Sequence, residues 1–125
     1  MRQHKYRYWY SGKMEEVGQI DFFENGTYRV NDELVGGVLM EFTGLKDKNG
    51  KEIYEGDIVK GVLDEGYVLR IGYDSHEFET GEIKWDYSGF MWELYEKDKR
   101  YIGDLVLVNE KEVIGNIYEN PELIK

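Results

Sequence analysis

Apolar residues in this chain alternate with polar ones over short runs and then break at glycine, asparagine or aspartate, and helical periodicity is weak throughout. A strand sends successive side chains to opposite faces, so such a pattern specifies half-buried strands joined by tight turns. Fifteen glycines, eleven tyrosines and a single proline suit that architecture, since glycine supplies turn conformations and tyrosine packs well on a pleated, half-buried surface. The expected class is all-β, built from short antiparallel strands. A chain of 125 residues fits one domain and buries roughly two-thirds of its unfolded surface, enough for an ordinary core.

The stretch from Met40 to Lys60 carries the densest signal. Val38, Met40 and Phe42 alternate with Leu39, Glu41 and Thr43 as one strand. Asn49-Gly50, flanked by Lys48 and Lys51, reads as a two-residue type I′ hairpin turn. Ile53, Ile58 and Val59 surround Tyr54-Glu55-Gly56-Asp57, where Gly56 permits a bend and a new strand is expected from Asp57. Asp47, Glu52, Glu55 and Asp57 are the stretch's four carboxylates, yet Lys46, Lys48, Lys51 and Lys60 balance them. An EF-hand loop places glycine sixth and glutamate twelfth, whereas here, counting Asp47 as first, glycine falls fourth. A solvated turn with ion pairs is therefore expected, not a calcium loop.

The run Thr43-Gly44-Leu45-Lys46-Asp47-Lys48-Asn49-Gly50-Lys51-Glu52-Ile53-Tyr54-Glu55-Gly56-Asp57-Ile58-Val59 resembles the central motif of the YopX family of small phage and prophage proteins. Tyr6-Arg7-Tyr8-Trp9 followed by Lys13-Met14 resembles that family's start, and Val113 to Leu123 its ending. The resemblance implies a mainly β protein of phage origin, taken as one domain over 1–125 with subdomains at 1–43 and 53–125. The motif residues are Thr43, Gly44, Leu45, Asp47, Gly50, Tyr54, Glu55, Gly56 and Asp57. No catalytic residue carries over from it.

Before the motif, Lys5 to Tyr10 reads as a strand with Tyr6, Tyr8 and Tyr10 on one side, and Ser11-Gly12-Lys13 as a turn. Met14 to Phe23 reads as a second strand bent at Gly18, and Asn25-Gly26 as another I′ turn ahead of a strand over Thr27 to Val30. These hairpins form an N-terminal sheet whose aromatics are expected in a core or half-buried face. After the motif, Ile58 to Val62 is a strand, and Tyr67, Leu69, Ile71 and Tyr73 alternate as the next. Phe78 to Trp85 and Phe90 to Tyr95 follow as further strands, with Glu96 to Arg100 a charged turn or helical fragment. Leu105 to Val108 reads as a short strand and Val113 to Tyr118 as the last. Asn120-Pro121-Glu122-Leu123 fits one helical turn capped by Asn120, with Leu123 and Ile124 plugging one end of the sheet. A Gly-Asp entry followed by a meander of short strands points to a partly open, SH3-like barrel.

Charge narrows the function classes. The net charge is −10, and residues 1–10 carry +3 while 61–96 carry −7. Phosphate backbones are held by clustered Lys and Arg, and Lys97-Asp98-Lys99-Arg100 is the one such cluster. Arg2, Lys5 and Arg7 among the N-terminal aromatics could serve a stacking platform, but the acidic residues that follow would repel a phosphate chain. Direct nucleic-acid binding is disfavoured. In the meander Asp64, Glu65, Asp74, Glu77, Glu79, Glu82, Asp86, Glu93 and Glu96 face only Arg70 and Lys84. An acidic surface of this kind steers basic partners, and Asp64, Glu65, Asp74, Glu77, Glu79 and Glu82 are the candidate interaction residues.

Enzymatic chemistry finds little footing. Cysteine is absent, His4 and His76 alone offer imidazole, and His76 sits in a polar turn beside Asp74 and Glu77. A structural zinc site needs four such ligands, and Asp74-Ser75-His76 within one turn cannot converge as a triad. Gly36-Gly37 lacks the lysine and hydroxyl of a phosphate loop. No cofactor, metal or catalytic residue is expected. No apolar run approaches the 18 or so residues of a membrane span, and nothing near Met1 resembles a signal peptide. The expectation is a cytoplasmic, non-enzymatic interaction module whose partner is a host or phage protein, with a homo-oligomer as a further possibility and no membrane role. A nucleic-acid-associated protein and an enzyme with an unrecognised carboxylate site are the alternatives.

Overall fold

The computed structural model describes residues 5–73, 75–86, 89–96 and 98–124. The fold is all-β with one short helix, and the chain divides into two compact units, Met1–Phe42 and Thr43–Lys125.

In the first unit β1 (Tyr6–Tyr10) pairs antiparallel with β2 (Lys13–Glu16) on one side and with the start of β5 (Val38–Lys46) on the other. Ser11 and Gly12 take φ of 50° and 78° between the paired Tyr10 and Lys13, so Ser-Gly forms a two-residue I′ turn. The expected second strand is two elements in different sheets: β2 ends at Glu16, and β3 (Ile20–Phe22) pairs with β4 (Tyr28–Val30). Asn31 bridges the break, its Oδ1 accepting from the Gly18 N–H at 2.8 Å and its Nδ2 donating to the Glu16 carbonyl at 2.8 Å. Tyr8, Val30, Met40 and Phe42 are buried. The Tyr8 hydroxyl accepts from the Gly37 N–H at 2.6 Å, so this tyrosine is core.

Asn25-Gly26 and Asn49-Gly50 do not form I′ turns. Only the glycines take positive φ, 86° and 82°, and the glycine N–H donates three residues back, Gly26 to Phe23 at 3.0 Å and Gly50 to Asp47 at 3.0 Å. Both are type I turns followed by a glycine in the left-handed region, a longer loop that suits a twisted hairpin equally well. Asn25 and Asn49 thus sit in right-handed backbone, and at these two turns only the glycine needs its conformational freedom.

The second unit holds the end of β5, then β6 (Glu52–Tyr54), β7 (Asp57–Val62), α1 (Glu65–Ile71), β8 (Glu77–Asp86), β9 (Gly89–Glu96), β10 (Lys99–Asp104) and β11 (Asn109–Asn116). Five strands form an antiparallel sheet in the order β10-β9-β8-β7-β11, curled into a half-barrel. Its core gathers Ile53, Val59, Leu63, Val68, Tyr73, Phe78, Ile83, Trp92, Leu94, Leu105 and Val108. Phe78 stacks on Trp92 with centroids 4.5 Å apart, and Tyr73 meets Tyr101 edge-on at 4.8 Å. Burying one such aromatic contributes roughly 2–3 kcal/mol.

The expected strand over Tyr67 to Tyr73 is a helix instead. Asp64, extended at φ −68° and ψ 148°, precedes the first turn, and its carbonyl accepts from Tyr67 and Val68. Glu65 lies in the first turn, Arg70 in the last, and Gly72 closes the helix at φ 77°. Acid first, base last and a left-handed glycine after the end complement the helix dipole and satisfy its final carbonyls. The helix overturns the alternation at its centre, where Val68 is 6% exposed and Leu69 77%, while Tyr67 and Ile71 still pack against the core.

Leu105–Leu107 is a 3-10 turn, not a strand. Leu105 and Val108 are buried while Val106 and Leu107 are exposed, the i, i+3 stacking of a three-residue repeat. Of the charged turn expected over Glu96 to Arg100, Glu96 belongs to β9 and Lys99 and Arg100 to β10, while Lys97 lies outside the described residues. Asn120 stands at the N-cap position of the final 3-10 turn, Pro121–Ile124, its carbonyl accepting from Leu123, while its Oδ1 turns back to accept from the Asn116 N–H at 3.1 Å. Ile124 remains 41% exposed.

The helix assignment has a direct test. Leu69→Glu is expected to shift stability by less than about 0.5 kcal/mol, and Val68→Glu to cost several kcal/mol or prevent folding, as an uncompensated buried charge does. Urea denaturation of the two variants would give the reverse ranking if residues 67–73 formed a strand.

Candidate functional site

The motif residues Thr43 to Asp57 build the connections of the second unit. Asp47 is 7% exposed, and its carboxylate accepts three backbone N–H groups: Asn49 and Lys51 on Oδ1 and Val113 on Oδ2, each at 2.9 Å. Burial alone would raise its pKa, but the hydrogen bonds from Val113, Lys51 and Asn49 outweigh it and hold the carboxyl below the usual range. Thr43 Oγ1 donates to the Ile53 carbonyl at 2.7 Å and accepts from the Leu45 N–H. Asp57, 1% exposed, accepts from the Tyr54 N–H at 2.8 Å. Gly44, Gly50 and Gly56 all take positive φ, and Leu45 packs against the core. Gly56 donates to the Ile83 carbonyl and accepts from the Ile117 N–H. Glu52 accepts the Tyr54 hydroxyl at 3.3 Å, while Glu55 is half-buried in the Tyr54–Gly56 turn. The motif's carboxylates are dispersed among these separate duties. Among the described residues no three acidic or imidazole groups come together as a metal site.

The candidate interaction residues fall on two elements. Asp64 and Glu65 are exposed at the start of α1, where Asp64 Oδ1 accepts from Asn109 Nδ2 at 3.1 Å. Glu77, Glu79 and Glu82 lie together on β8, the first two exposed on either side of buried Phe78. Asp74 lies outside the described residues. So do Arg2 and Lys97 of the basic groups a nucleic-acid face would need; Lys5 stands over the Phe42 ring, and Arg100 is held by two carboxylates.

A crevice opens along β8 because its pairing with β9 is short. The two strands are in register from Asp86↔Gly89 to Glu82↔Glu93 and no further. Beyond that point Leu94, Tyr95 and Glu96 pair only outward, with Tyr101, Arg100 and Lys99 of β10. Glu77, Phe78 and Gly81 likewise pair outward, with Val62, Gly61 and Val59 of β7. Between the diverging halves lie two adjoining cavities of about 260 and 230 Å³ that share Thr80, Leu94 and Tyr95. The first is lined also by Tyr73, Glu77, Glu79 and Glu96, the second by Glu82, Lys84, Glu93, Leu123 and Ile124.

The carboxylates here are unequal. Glu93, 5% exposed, receives Lys84 Nζ at 2.6 Å and Arg100 Nε, and Arg100 Nη2 reaches Asp86 at 3.0 Å. Burial would raise its pKa, yet the Lys84 and Arg100 hydrogen bonds prevail and keep it ionised below the usual range. Both cations are diagonal cross-strand neighbours of Glu93, so three strands are locked by one carboxylate. Glu82 stands directly opposite Glu93. Burial raises its pKa, repulsion from Glu93 adds to this, and Lys84 opposes it. Glu77, Glu79 and Glu82 have no basic side chain within ion-pair distance among the described residues. Sequence reasoning grouped Glu93 with the surface acids; its place between Trp92 and Leu94 was the available sign of burial.

None of the described helices is long and apolar enough to cross a membrane. Residues 3–125 match the family model described as YopX protein. No curated protein matches. Among solved structures, protein EF1440 from Enterococcus faecalis is similar at 28% identity and a TM-score of 0.61, with 100% of both chains covered. Protein yopX from Bacillus subtilis is similar at 24% identity and a TM-score of 0.62, again over 100% of both chains, which is a likeness of fold.

Two measurements test these roles. Asp47→Ala strands three backbone donors and should cost roughly 3 kcal/mol at neutral pH; because its folded pKa is depressed, the difference from the parent should shrink as pH falls through the range below about 4. Glu82 and Glu93 should behave oppositely. Glu93→Gln lowers stability at neutral pH, by about 1–2 kcal/mol with its partly exposed cations discounted for screening, and less in acid. Glu82→Gln raises stability at neutral pH, since a raised folded pKa contributes stability only while the carboxyl is protonated, and that gain disappears on acidification. Chemical denaturation of each variant across pH 3–8 reads both signs.

Proposed function

We propose that this chain, which belongs to the YopX family, is a non-enzymatic module that recognises a basic protein surface through an acidic face on its second unit. The observation that carries this reading is the gathering of Glu77, Glu79 and Glu82 along β8, beside two adjoining cavities and without ion-pair partners among the described residues. Carboxylates left unpaired next to apolar surface attract cationic side chains and add selectivity and on-rate to contacts made by Leu94, Tyr95, Leu123 and Ile124. Glu93, by contrast, is already neutralised by Lys84 and Arg100 and contributes structure.

The partner is a host or phage protein, the chain is an accessory protein of phage or prophage origin, and the encounter takes place in the cytoplasm; the absence of cysteine suits a reducing compartment. Like small SH3-like barrels, the half-barrel would present its ligand surface on strands and their connections. Affinity capture from phage-infected cells at low and high salt, read by mass spectrometry, tests the reading. A dominant basic partner that is lost at high salt is expected, because exposed charges are screened. Binding indifferent to salt, or partners without basic surfaces, would overturn it.

A further inference from the structure

The divergence of β8 from β9 leaves two strand edges facing each other inside the sheet. On β8 the segment from Glu77 to Gly81 pairs with β7 alone, through Glu77, Phe78 and Gly81 with a register shift across Glu79 and Thr80, and on β9 the segment from Leu94 to Glu96 is laddered to β10 alone. Strand edges carry main-chain N–H and C=O groups that ordinarily find another strand. The space between is a cleft, with Tyr73 and Leu94 both buried along it and the acids Glu77, Glu79 and Glu96 exposed beside it. It continues past Thr80 to half-buried Glu82 and the apolar Leu123 and Ile124. Glu77 and Glu79 are two residues apart on one strand, about 7 Å along its axis, which is also the spacing of alternate side chains on any strand laid beside them.

We propose that this crevice takes an extended segment of a basic partner, added as a strand against the open edge of β8, with lysine or arginine at alternate positions. Main-chain hydrogen bonds to the β8 edge supply affinity without sequence preference, and the alternate basic side chains set register on Glu77 and Glu79. The residues between them face Leu94 and Tyr95, where small β-branched side chains fit. Glu82, paired with the neutralised Glu93, marks the end of the crevice where β8 and β9 close again. The proposal rests on the acidic-face reading and deepens it, naming the place on that face and the conformation of what binds there.

The probes are three capped five-residue peptides. One is Lys-Val-Lys-Val-Lys, one its isomer Lys-Lys-Lys-Val-Val, and one the alternating peptide with N-methylated valines that cannot donate main-chain hydrogen bonds. Titrations followed by amide chemical shifts and calorimetry should give at least tenfold tighter binding of the first peptide than of either other. Shifts should concentrate at Glu79, Thr80, Gly81, Leu94 and Tyr95. Glu77→Lys with Glu79→Lys, both exposed and so tolerated by the fold, should weaken the first peptide at least tenfold while the circular dichroism spectrum is unchanged. Equal binding of all three peptides, or shifts centred elsewhere on the acidic surface, overturns strand addition in the crevice and leaves the broader reading standing. No binding of any basic peptide, together with no basic partner in the capture experiment, overturns both.

Discussion

Three backbone N–H groups converging on the buried carboxylate of Asp47 hold the second unit together. Two of those donors shape the turn that follows Asp47, and the third belongs to β11, sixty-six residues away. A charge taken out of water is tolerable only where several donors replace its hydration, so the turn, the last strand and the ionised state of Asp47 stand or fall as one. Lys48, in the same turn, donates its N–H to the Lys111 carbonyl. Gly56 does comparable work further on, joined to Ile83 and Ile117. The dense central motif is thus a set of fixings from which the strands of the half-barrel hang.

Glu93 applies the same physics across the sheet. A carboxylate with 5% exposure between Lys84 on β8 and Arg100 on β10 satisfies one buried charge with two partly exposed cations. A slip of either neighbouring strand by one residue would send its cation to the opposite face. Glu82 shares the same face with no ion-pair partner among the described residues, and the difference between the two glutamates follows from their neighbours, not from their residue type. That difference makes Glu93 a structural ion pair and leaves Glu82 half-buried with a raised pKa.

Strands and most turn positions could be read from the sequence, because alternation and glycine act over a few residues. Turn type could not: Asn25 and Asn49 remain in right-handed backbone, and I′ geometry falls instead on Ser11-Gly12 and on Asn31-Asp32. The helix was hidden by coincidence, since Tyr67, Leu69, Ile71 and Tyr73 alternate while Asp64, Glu65, Arg70 and Gly72 carry the signals of a helix with both ends marked. The acids of β8 were identifiable as acids, but the crevice beside them depends on where two strands cease to pair. The partners of Glu93 are seven and nine residues away in sequence on different strands, which no local pattern encodes.

An interior seam of unpaired strand edges is ordinarily a hazard, since identical chains offer one another matching edges and can zip together. Here the seam is bordered by Glu77, Glu79 and Glu96 on a chain of net charge −10. A second copy would bring the same acids to the same place, and like charges facing across a forming ladder are destabilising. The border therefore opposes an identical edge by charge and, on the reading proposed above, favours one of opposite sign.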